Sequence, residues 1–130
     1  MAIRNQIRPR FPKCYFTFAE SLIRDRNNNC RWQALIVIGE YIERNPEEIW
    51  RIISEFGNSK DEDMRTAVAV LLLEEMLHWD FPKYFARVKQ RVLSGDRLFV
   101  DTLSRCWEFG DARKHWPKIK SLLRKVENMP

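Results

Sequence analysis

Apolar residues recur every three to four positions along nearly the whole chain, the spacing that gathers side chains on one face of an α-helix. No stretch alternates with a period of two, so no strand is expected. The periodic stretches predict helices near 17–27, 31–45, 46–56, 62–78, 81–94, 97–109 and 117–128. Glycine occurs only at 39, 57, 95 and 110, and Gly57, Gly95 and Gly110 follow periodic segments, where a helix end favours a residue able to turn left-handed. Asp61 with Asp63, Asp96 and Asp111 stand near the starts of the following segments, where a carboxylate can accept orphan main-chain N–H groups. The expected class is all-α.

The helices also repeat. Pro46, Pro82 and Pro117 are spaced by 36 and 35 residues, each at the start of a new apolar periodicity, where the missing N–H and fixed φ do no harm. Phe81-Pro82-Lys83 and Trp116-Pro117-Lys118 are near-copies, and behind them Tyr84 matches Ile119 and Val88 matches Leu123. Ile49 and Ile52 match Phe85 and Val88 in the same way, while Ala34, Leu35, Val37 and Ile38 match Ala67, Val68, Val70 and Leu71 at an offset of 33. A two-helix unit of this length suits HEAT, armadillo or TPR architecture, and the TPR pattern of Trp, Leu-Gly and Tyr is absent. Over residues 31–128 the proline at the mouth of the second helix and the Asp-rich turn before the next hairpin resemble HEAT repeats. That resemblance implies one domain, 1–130, folded as a short α-solenoid, a right-handed superhelix of three HEAT-like hairpins at 31–60, 61–95 and 96–130. A capping helix at 17–27 and a basic arm at 1–13 precede them. A closed bundle of unrelated helices is the alternative topology.

With 130 residues, 45% of them apolar, the chain suits one ordinary domain that buries about two-thirds of its unfolded surface. Its longest apolar run, Ala67 to Leu73, is seven residues, far short of the roughly 20 needed to cross a bilayer. The N-terminus lacks the apolar core of a secretion signal, so a cytoplasmic location without membrane contact is expected. Cys14, Cys30 and Cys106 are odd in number and widely spaced, and read as reduced, mostly buried thiols. Charge is segregated: residues 1–31 hold seven Lys/Arg against two Asp/Glu, residues 32–80 four against eleven, and residues 81–130 twelve against five. Two basic ends flank an acidic middle, a field able to attract a polyanion.

On the 81–94 helix Lys83, Arg87 and Arg91 fall opposite an apolar cluster of Tyr84, Phe85, Val88 and Val92. In the last hairpin Lys118, Lys120, Arg124 and Lys125 surround Ile119, Leu122, Leu123 and Val126; Lys83 matches Lys118, and Lys89 matches Arg124, across the repeat. Arg51 extends this ladder, which Glu47, Glu48 and Glu55 weaken, and Arg97 adds a further cation. Matched cations on the second helices would make a groove for a phosphate backbone, against the plain reading of a solvated helical face. Arg4, Arg8, Arg10 and Lys13, separated by Ile3, Ile7, Phe11 and two prolines, form an arm that could grip a nucleic acid or be a frayed terminus.

Met64, Arg65, Ala67, Leu71 and Leu72, followed by Arg97, Leu98, Phe99, Val100 and Asp101, resemble two elements of the HEAT-like DNA alkylation repair glycosylases. The resemblance covers Glu62 to Asp111 and implies a basic groove for DNA, with Asp101 at the position of the family's catalytic aspartate. The family's motif Trp falls on Arg97, its first motif Asp falls on Leu98, and the chain is much shorter than family members, which argues against an active glycosylase. Glu75-x-x-His78 has the spacing of a carboxylate-bridged metal pair but stands alone, so neither metal nor cofactor is expected. Two function classes lead: a nucleic-acid-binding module, with DNA as the foremost partner, or a protein-interaction scaffold, including a homodimer; residual glycosylase activity through Asp101 is a third, weaker expectation.

Overall fold

The computed structural model describes residues 13–129, and the arm residues Arg4, Arg8 and Arg10 lie outside them. The described residues form seven helices and no strand: α1 (Lys13–Ile23), α2 (Asn28–Gly39), α3 (Pro46–Phe56), α4 (62–79), α5 (Phe81–Leu93), α6 (Arg97–Ser104) and α7 (Trp116–Glu127). A 3₁₀ segment (Gly110–His115) leads into α7. Helix α4 runs without a break from α-helical Glu62–Val68 through a π-helical turn, Ala69–Leu73, into α-helical Glu74–Trp79.

Local chemistry sets most helix starts. Asn27 accepts the N–H groups of Asn29 and Cys30, Asp61 those of Asp63 and Met64, and Asp96 that of Phe99. Prolines occupy the first turns of α3, α5 and α7, as their spacing predicts. Asp63 and Asp111 do not cap. Asp63 instead receives Arg31 and the Trp32 indole, and the Asp111 N–H donates to Nδ1 of His78.

Several helix ends differ from the periodicity. Helix α1 closes at Ile23, because Asn27 must lie outside α2 to cap it, and the chain beyond Gly39 passes through hydrogen-bonded turns rather than helix. Helix α6 stops at Ser104 instead of reaching 109. The Trp107 N–H is taken by the Glu74 carboxylate of α4, and Phe109 is extended. Gly95 and Gly110 have positive φ, but Gly57 sits at φ −69°. Packing rather than handedness calls for glycine there, since a Cβ on it would meet the Ile53 carbonyl at 2.5 Å and the Phe99 ring at 3.1 Å.

The seven-residue apolar run explains why α4 is central. Ala67, Val68, Ala69, Leu72, Leu73, Met76 and Leu77 are all buried, because α4 packs against α2, α3, α5 and α6 and so needs an apolar surface on several sides. Helix α5 packs in turn against α6 and α7. Its two flanks, one toward α3 and one toward α7, decide where the basic residues point.

Candidate nucleic-acid interface

Helix α5 buries a seam of Phe81, Tyr84, Val88 and Val92. At about 100° per residue, Arg87 and Arg91 fall on one flank of that seam and Phe85 and Lys89 on the other. The first flank meets α3, in a groove with Trp50 and Ser54; the second meets α7. The ladder of cations read from the sequence is thus divided between two grooves.

The α3 side is neutralised. Arg87 donates to both oxygens of Glu47 at 2.9 and 3.1 Å, and Lys83 reaches the same carboxylate at 3.4 Å. Arg91 donates to Asp96 and to the main-chain carbonyl of Ser54. Arg51 pairs with both oxygens of Glu20 and with Glu48. The Arg87 hydrogen bonds hold the Glu47 carboxyl below its ordinary value, and those from Arg51 do the same for Glu20 against the opposing effect of burial. Glu47 and Glu48 of α3, together with Glu20 and Asp96, therefore answer the cations on this side.

The α7 side is different. Helix α7 buries Trp116, Ile119, Leu122 and Val126, which turns Lys118, Ser121 and Lys125 toward α5 and Lys120 and Arg124 to the opposite flank. Lys89, Lys118 and Lys125 meet in a groove of about 580 Å³ whose floor includes Phe85 and Leu122. All three lysines are exposed, and among the described residues none has a carboxylate within ion-pair distance. Arg97, Lys120 and Arg124 are likewise unpaired among the described residues but lie away from this groove. The first turn of α7 carries no acidic residue and no side-chain cap; it continues from the 3₁₀ segment, and the Trp116 N–H goes to the Arg113 carbonyl. Lys13 opens α1, far along the chain from these residues.

Asp101 stands between two guanidinium groups. Its Oδ2 accepts from Arg65 at 2.8 Å and from Arg105 at 2.7 Å, while Arg105 also reaches Glu62 and the Thr66 hydroxyl. Burial pushes the Asp101 carboxyl up, and the hydrogen bonds from Arg105 and Arg65 more than reverse this, leaving it below its ordinary value. Neither Trp107 nor Trp116 donates to Asp101 or makes a ring contact with Phe99, whose aromatic neighbour is Trp50. His78 is occupied by the Asp111 N–H and packs edge-on against Phe109. No group of three or more His, Cys, Asp or Glu among the described residues converges to hold a metal ion. Burial raises the Cys106 thiol well above its ordinary value, as in an inert core thiol, and Cys30 is half-buried.

Two features escape sequence reasoning. Phe85 occupies a core position by spacing, yet it is only half-buried and closes a stack of parallel rings, His115 on Phe81 and Phe81 on Phe85. Its four-residue offset from Phe81 was the available signal, but the contribution of His115 depends on the 3₁₀ turn. The other is an apolar groove between α1 and α2, lined by Phe18, Leu22, Ala34 and Val37, with Phe18 67% exposed. No protein-family model, no curated protein and no solved structure matches the chain. No helix among the described residues is long and apolar enough to cross a membrane.

Proposed function

We propose that the chain is a short HEAT-like stack of three helical hairpins that binds nucleic acid through the groove between α5 and α7. The succession of contacts from α2 to α4 to α6, with α5 against α7, supports the stacked arrangement. So do the prolines at the mouth of each second helix. The observation that carries the function is the contrast in charge pairing: Arg51, Arg87 and Arg91 are tied to carboxylates, whereas Lys89, Lys118 and Lys125 share one groove unpaired. Three ammonium groups that neutralise phosphates would release counterions, the main source of affinity for a nucleic-acid backbone. Asp101 on this reading is a clasp between α4 and α6, and the module binds without removing bases.

Fluorescence anisotropy with labelled DNA tests the proposal. Affinity should fall with salt at a log–log slope of about −2 to −3, as three phosphate contacts require. Lys118→Glu with Lys125→Glu should abolish binding at low salt, and Lys120→Glu should weaken it much less. No binding of the wild-type chain at low salt would overturn the proposal. A second reading, a self-associating helical scaffold, is favoured by the exposed apolar groove of α1 and α2; a dimeric mass in solution together with no DNA binding would select it.

A further inference from the structure

The α5–α7 groove combines its cations with an aromatic surface, and this combination bears on which form of nucleic acid fits. The ring planes of His115 and Phe81 are 4.6 Å apart at their centroids and inclined by 14°; those of Phe81 and Phe85 are 5.1 Å apart and inclined by 11°. Phe81 is buried and fixes the orientation of both partners. Phe85 stacks on Phe81 with one face, retains exposed surface, and lines the groove beside Lys89, Lys118 and Lys125.

We infer, on the basis of the binding proposed above, that the preferred ligand is single-stranded nucleic acid, with a base laid on Phe85 and the adjacent phosphates on the three lysines. A duplex keeps its bases inside its own stack and can offer this groove only phosphates. An unpaired strand offers phosphates and a planar π-face together, and base-on-aromatic stacking tolerates any sequence. The fixed ring pair lowers the entropic cost of that stacking, because Phe81 holds the Phe85 ring by packing before a base arrives.

The test compares the full chain with four probes of about 20 nucleotides: oligothymidylate, oligouridylate, a duplex, and an abasic strand that keeps the phosphates and lacks the bases. Oligothymidylate should bind at least about fivefold more tightly than the abasic strand, the lower end of what one stacked base contributes. The duplex, which offers this groove phosphates alone, should bind less tightly than oligothymidylate. Phe85→Leu, which keeps most of the packing against Phe81, should reduce oligothymidylate affinity by about the same factor and leave abasic binding unchanged. Phe85→Trp should restore it. The abasic comparison uses the unaltered protein, so it stays decisive if the variants fold poorly, and ultraviolet cross-linking of oligothymidylate should map to the peptide holding Phe85. Equal affinity for the abasic and thymidine strands would overturn the stacking inference while leaving the basic groove intact. Absence of binding to every probe would overturn both. A difference between oligothymidylate and oligouridylate would assign the source of the strand.

Discussion

Arg31 is a buried cation whose side chain is only 4% exposed. Its Nε donates to the Ile23 carbonyl at 3.0 Å, one terminal nitrogen reaches Asp63 at 2.8 Å, and the other reaches Asp61 at 3.0 Å. This one side chain therefore joins the end of α1 to the start of α4 from its place on α2. Arg31→Met keeps the length and apolar stem of the residue but removes every donor. The half-exposed carboxylates of Asp61 and Asp63 can return to water, whereas the Ile23 carbonyl loses its charged donor, so the expected loss is about 2 kcal/mol. A urea titration should show a lower midpoint at unchanged slope, and an unmoved midpoint would contradict the assignment. The same pairing logic limits what could be read of the binding site. Lys118 and Lys125 were legible as exposed cations from helical spacing alone. Nothing local to Arg87 announces that Glu47, 40 residues earlier, neutralises it, because that pairing exists only once α3 and α5 lie side by side. Phe85 was misplaced for a related reason: the period marks the apolar side of a helix but not where that side meets a groove.

At the scale of the elements, starts were more legible than ends. A proline or an aspartate at a first turn acts on the N–H groups beside it, so Pro46, Pro82, Pro117, Asp61 and Asp96 mark starts without reference to the rest of the molecule. Helix α6 ends early because Glu74 and His78, on another helix, receive the N–H groups of Trp107 and Asp111. The π turn within α4 has no marker in the run Ala67 to Leu73, which any helical register would bury. Gly57 illustrates a glycine whose reason lies partly in its own helix and partly across the interface. It has a right-handed φ, its carbonyl accepts from the buried Thr102 hydroxyl, and its missing Cβ makes room for Phe99 of α6. In an open right-handed position Gly57→Ala would stabilise through the unfolded chain. Here the added methyl meets main chain at 2.5 Å, so something must shift, and a net destabilisation of about 1–3 kcal/mol is expected. Thermal melts followed by circular dichroism would check it, and an increase in Tm would contradict the close fit of Gly57 against Ile53 and Phe99.

For the whole molecule, the segregated charge is largely answered within the fold. Carboxylates clasp successive parts of the chain: Glu20 holds Arg51, Glu47 holds Arg87 and Lys83, Asp61 holds Arg31, and Asp101 holds Arg65 and Arg105. All four carboxyls lie below their ordinary values of 4.5 for Glu and 3.8 for Asp. A depressed carboxyl binds its proton more weakly in the folded chain than in the unfolded one. Its contribution is therefore complete above the ordinary value and is lost as pH falls through the depressed one. Glu74 acts in the opposite direction, since burial raises it against the Trp107 N–H; the folded chain takes up that proton first and gains slightly as pH descends toward 4.5. Four depressed groups outnumber one raised group, and protonation also leaves 23 Lys/Arg without their opposing charge. The Tm should accordingly hold roughly level from neutral pH to about pH 5 and fall steeply below about pH 4. A Glu47→Gln, Asp101→Asn variant should start lower at neutral pH and lose less on acidification, because two of its clasps no longer have a charge to lose. Equal acid-induced losses in the two proteins would mean that general repulsion among the cations, rather than these particular clasps, governs the acid limit of the fold.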